Sequence, residues 1–86
     1  PVTHARTSEP KVFVERFGPA TDGLVWFTLL NEDPKAHATR LTIDARALGL
    51  NAAKAKAINV IDGTQIGLAR DGGALWADFV VPADGV

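Results

Sequence analysis

Cysteine, methionine and tyrosine are all missing from these 86 residues, and serine occurs once, at Ser8. Without cysteine there is no disulfide framework, no thiolate zinc site and no thiol nucleophile. A lone serine outside any elbow motif removes serine-nucleophile chemistry as well. The lack of methionine, with Pro1 at the start, is read as a processed segment or excised domain and not a primary translation product. Charge of one sign is lacking too: nine basic and ten acidic residues leave a net −1, with the basic residues scattered. That balance excludes the basic stripe a nucleic-acid partner requires, and it offers an anionic membrane surface nothing to hold. No apolar run approaches the roughly 20 residues of a membrane-spanning helix.

What is present is ordinary globular material, 47% hydrophobic and 22% charged. The length suits one domain. A chain this short buries only roughly 60–65% of the surface its unfolded form exposes, so its core is small and neighbours can matter. The longest apolar run, Leu24-Val25-Trp26-Phe27-Thr28-Leu29-Leu30-Asn31, is rich in branched and aromatic residues. It reads as a strand covered on both faces, in the middle of a sheet. Val25, Phe27 and Leu29 fall on one side of it; Leu24, Trp26, Thr28 and Leu30 fall on the other. Asp22-Gly23 precedes it and Asn31-Glu32-Asp33-Pro34 follows, both turn signals.

Residues Pro1–Pro10 are polar and aperiodic, a linker or edge segment, and residues 11–86 form the β-domain. Lys11–Phe17 is the first good strand, with Val12 and Val14 on one face and Phe13, Glu15 and Phe17 on the other. Gly18–Gly23 has hairpin length and turns this strand antiparallel into the long run. Ala38–Ile43 alternates cleanly, Thr39, Leu41 and Ile43 against Arg40, Thr42 and Asp44, as in a sheet wet on one side. Asp44 suits an N-cap and Gly49 a stop, so one helical turn fits between them with Leu48 and Leu50 dropping into the core. Ala55–Ile61 and Gln65–Arg70 read as two further strands. Asp71-Gly72-Gly73 is the strongest hairpin signal, leading into Ala74–Val81, where Leu75, Ala77, Phe79 and Val81 share a face. Val86 is placed to begin one more strand. About six or seven short strands with at most one helical turn predict an all-β fold, a small antiparallel β-sandwich of immunoglobulin-like or Greek-key type; a small barrel is the alternative.

Candidate sites are few. Glu15 and Asp78 are the only carboxylates placed mid-strand, and a glycosidase pair needs two within about 5–9.5 Å of each other. Caps, turns and solvation explain the ten carboxylates without catalysis. His4 and His37 lack the local ligand spacing of a zinc site. Asn31, Glu32 and Asp33 lack the alternating ladder of a calcium loop. The glycines at 63, 67, 72 and 73 stand at turns, not between a strand and a phosphate-binding helix. No cofactor is called for. Trp76, two residues from Asp78 on the polar-alternating side of its strand, is the candidate carbohydrate-binding residue, since an indole face matches the apolar face of a sugar ring. The competing reading packs Trp76 against a sandwich edge or partner domain. Trp26, inside the apolar run, is expected in the core.

The succession Val12-Phe13-Val14-Glu15-Arg16-Phe17-Gly18, Val25 to Asn31, Leu41-Thr42-Ile43-Asp44 with Leu48-Gly49-Leu50, Asp62-Gly63 and Phe79-Val80-Val81-Pro82 resembles the C-terminal β-sandwich accessory domain of bacterial glycoside hydrolases. The likeness spans about residues 11–86. It implies a non-catalytic domain that packs against and stabilises a catalytic barrel, the partner being the catalytic domain of the same precursor or another chain, with carbohydrate as a further ligand. The family's catalytic carboxylates lie in the barrel and have no counterparts here. An immunoglobulin-like interaction module without the Cys-Trp-Cys core is the third reading.

Overall fold

Two eight-residue strands form the centre of the molecule. In a computed structural model describing residues 3–19, 23–51 and 53–83, β4 (His37–Asp44) and β8 (Ala74–Val81) pair antiparallel along their whole length, from His37 opposite Val81 to Asp44 opposite Ala74. Their alternation sends Thr39, Leu41 and Ile43, and Leu75, Ala77 and Val81, into the interior. Leu75 is the largest fully buried apolar side chain among the described residues, 2% exposed. A buried aliphatic side chain of this size contributes about 1.5–3 kcal/mol. Two three-residue strands complete the sheet, β1 (Ala5–Thr7) beside β4 and β7 (Ala69–Asp71) beside β8, giving the order β1-β4-β8-β7. The β7–β8 turn is the two-residue loop Gly72-Gly73, and Gly72 takes the positive φ of +60° that such a turn needs.

A second layer is the antiparallel ribbon of β2 (Val12–Phe17) and β3 (Trp26–Asn31). The connection between them includes residues 20–22, which lie outside the described residues. Val14, Val25, Phe27 and Leu29 pack against the cluster of Leu41, Ile43, Ala45, Leu48 and Leu75. The all-β antiparallel fold is thus present, with eight strands among the described residues where six or seven are expected. Among the described residues there is no helix, and so none long and apolar enough to cross a membrane. The turn expected after β4 is there: Asp44 Oδ1 accepts from Ala47 N (3.1 Å), Leu50 N donates to Ala45 O (2.9 Å), and Gly49 sits at φ +71°. Leu48 is buried and Leu50 packs beside it.

Two strand expectations are corrected. The run at 24–31 is not mid-sheet: β3 has β2 as its one strand partner among the described residues, and the sheet's centre belongs to β4 and β8. Residues 55–61 and 65–70 make only the two-residue strands β5 (Ala57–Ile58) and β6 (Gln65–Ile66) before β7. The cause is local. Asn59 and Asp62 bend the chain through side-chain bonds to the backbone N–H groups of Ile61 (2.9 Å) and Thr64 (2.9 Å), competing with a strand ladder. Ile58, Val60 and Ile61 are left exposed. Val86 lies outside the described residues, as does any strand beginning there.

Candidate functional site

The outer face of the β2–β3 ribbon carries the largest exposed aromatic groups. Val12, Val14 and Arg16 face inward along β2, so Phe13, Glu15 and Phe17 face out. The register then sets Phe17 opposite Trp26, Glu15 opposite Thr28 and Phe13 opposite Leu30 on one surface. Phe13, Phe17 and Trp26 are 54%, 53% and 50% exposed. With aromatic side chains of about 150–250 Å² each, half exposed, the three present roughly 300 Å² of apolar surface. Leu24, also exposed, precedes Trp26 on the same alternation. This is the size at which a patch on a monomer is often functional. The row from Phe13 to Phe17 runs ~13 Å along the strand, with Glu15 as its one charged member. The inward Arg16 guanidinium anchors the end of the row, donating through Nε to Thr3 O (2.9 Å) and through a terminal nitrogen to Gly18 O.

Trp26 therefore lies on the surface and not in the core, which corrects its expected place. Alternation groups Leu24, Trp26, Thr28 and Leu30; that no layer of the described residues covers the group makes it an outer face.

Trp76 stands on the other side of the molecule, on the outer face of the four-stranded sheet, and is half-buried. The Arg40 guanidinium lies 3.7 Å from its ring centroid, a cation–π contact. Arg40 also grips Asp78, Nε to Oδ1 at 2.9 Å and a terminal nitrogen to Oδ2 at 3.3 Å. The bond to Arg40 holds the Asp78 carboxyl below the usual range, and the same bond raises the Arg40 pKa. One face of the indole is thus occupied by a positive group that a stacking sugar has to displace.

Glu15 and Asp78 do not converge. Each follows a core residue, Val14 and Ala77 respectively, and so points away from the interior on a different layer. His37 Nε2 lies 2.5 Å from Asp33 Oδ2, and its Nδ1 is 3.7 Å from Glu9 Oε2. The His37 hydrogen bond lowers the Asp33 pKa. His4 is elsewhere, at the start of β1, with its carbonyl accepting from Asp44 N (2.8 Å). Glu32 is exposed. Among the described residues no group of three or more His, Asp or Glu has the geometry to hold a metal ion.

Asn31 is a structural staple that the composition of its turn only hinted at. It is fully buried, and its Nδ2 donates to the carbonyls of Lys35 (2.8 Å), Pro82 (3.1 Å) and Val81 (3.2 Å). Its Oδ1 accepts from Asp33 N (3.0 Å), closing an Asx turn. One side chain therefore joins the end of β3, the 32–36 loop and the end of β8. Comparison with protein-family models, with curated proteins and with solved structures found no match for this chain.

Proposed function

We propose that this chain is a non-catalytic accessory β-domain of a glycoside hydrolase, docked on a catalytic barrel through the outer face of the β2–β3 ribbon. The observation that carries the reading is the half-exposed row of Phe13, Phe17 and Trp26, interrupted by a single carboxylate. Covering roughly 300 Å² of apolar surface supplies about 7 kcal/mol before association costs. Where the two bodies share one chain, effective concentration removes much of those costs. The resemblance in strand order and turn residues supplies the identity of the partner.

The test is the double variant F17S/W26S. Isolated, it is expected to lose about 2–5 kcal/mol, because the buried half of each ring and the contact of Phe17 with Trp26 across the ribbon go with the substitution, and this loss is the baseline for the joined protein. Joined to its catalytic domain, it is expected to lower that domain's thermal midpoint. An unchanged midpoint refutes docking by this face. Carbohydrate binding is the second reading, and exposed aromatics favour it. Titration with an oligosaccharide panel separates the two. A saturable change in tryptophan emission that W26A or W76A removes replaces docking with sugar binding, and W76A alone assigns it to Trp76.

A further inference from the structure

Among the described residues, the edge of β3 away from β2 is the longest strand edge with neither a strand partner nor a charged residue. A sheet edge is an open row of N–H and C=O groups, and proteins normally shorten it, charge it or cover it. The four-stranded sheet follows that rule: β1 and β7 have three residues each and carry Arg6, Arg70 and Asp71. β2 carries Glu15 and Arg16, and its start is tied down by Thr7 Oγ1 donating to Val12 O (2.6 Å) and Val12 N donating to Glu9 O (3.0 Å). β3 is six residues long, Trp-Phe-Thr-Leu-Leu-Asn, with no charge and no proline. Among the described residues no strand pairs with its far side. Its inward side chains Phe27 and Leu29, and Val25 just before the strand, touch the core yet remain only partly buried among the described residues.

We propose that the occupant of this edge is a second copy of the same chain, paired antiparallel β3 to β3 about a two-fold axis at Thr28. The strand is self-complementary in that register. Directly opposite residues of an antiparallel pair point to the same face. Centring on Thr28 therefore sets Trp26 opposite Leu30 of the second copy on the outer face, and Phe27 opposite Leu29 of the second copy on the inner one. No charged residue meets its own kind, and the axis itself holds a threonine–threonine pair, a favourable cross-strand combination. The result is one continuous ribbon, β2-β3-β3-β2, that finishes the cover over Phe27 and Leu29 in both copies. It also joins the two aromatic rows into one surface. The contact is isologous and closed, so it stops at two copies. It uses the edge of β3, whereas the docking proposed above uses the face of the ribbon, and neither depends on the other.

Sedimentation equilibrium up to ~1 mM tests the pairing. The unchanged chain is expected to approach twice its 9.1 kDa mass as concentration rises. T28K keeps the single chain sound, because position 28 faces Glu15 across the ribbon, but places two ammonium groups at the axis. It is expected to raise the dissociation constant about fivefold or more. Mixing T28K with T28E is expected to restore the dimer, as the unlike charges then meet. In this cysteine-free chain T28C is expected to oxidise to a covalent dimer, whereas a cysteine at Glu15 is not. A chain monomeric throughout the range, or a dimer indifferent to T28K and not cross-linked by T28C, overturns the proposal.

Discussion

Replacing Asn31 by alanine removes the amide that holds three chain segments together. The side chain is fully buried, and its two N–H groups are shared among the carbonyls of Lys35, Pro82 and Val81 at 2.8, 3.1 and 3.2 Å. Its oxygen takes the N–H of Asp33 at 3.0 Å. A net contribution of about 1 kcal/mol per bond, with two to three effective bonds lost and buried carbonyls left without a donor, gives a cost of roughly 2–4 kcal/mol. A domain of this length has about 4–13 kcal/mol in total, so the loss is a large part of it. The corresponding fall in melting temperature is roughly 10–25 °C. Urea titration followed by tryptophan emission measures it, and the slope should be unchanged while the midpoint falls. N31D is the sharper variant because it keeps the volume. It replaces the donors by an oxygen aimed at three carbonyls, so it should cost at least as much as N31A. If either variant unfolds within ~0.5 kcal/mol of the unchanged chain, the amide is not holding these segments and the reasoning fails.

Two further outcomes follow from the same structure. L75A, at the largest fully buried apolar side chain, is expected to cost about 2–5 kcal/mol in the same urea titration, since the two central strands leave little room for collapse around the cavity. Acid should weaken the fold. Asp33, Asp62 and Asp78 are all held below the ordinary value of 3.8, by hydrogen bonds from His37, Thr64 and Arg40 respectively. The unfolded chain therefore takes up protons first as pH falls, so the stabilisation is complete well above 3.8 and is lost as pH drops through the depressed values. The urea midpoint is expected to hold steady from neutral pH down to about 5 and to decline below about 4, less steeply in high salt. A triple variant D33N/D62N/D78N with the same acid slope contradicts this account.

Much of the architecture was legible in the chain because strand alternation is a local property. β8 runs Ala74–Val81 as its pattern indicated, and Thr39, Leu41 and Ile43 lie inside because every second residue of β4 must face one way. The turns were equally plain: Gly72-Gly73 and the Asp44–Gly49 segment are bends whose residue types leave few other conformations. Asn59 shows where local reading failed, whereas Asp62-Gly63 makes the turn that its residue types indicate. The Asn59 side chain competes with the ladder for the Ile61 N–H, and a hydrophobic pattern does not register that competition.

Which faces are covered is a different kind of fact. Alternation placed Phe13 with Phe17, and Trp26 with Leu30, yet an apolar row reads the same whether a second layer lies over it or water does. The tertiary arrangement left this row open and put Arg40 on the ring of Trp76. It also carried the end of β8 to Asn31, fifty positions away in sequence, turning a residue that reads as an ordinary turn former into the buried tie between layers. Residue order specified the long strands β2, β3, β4 and β8 and their two sides. Only the packing of one layer on the other decided which side met water, because burial is set by what lies opposite and not by what lies adjacent.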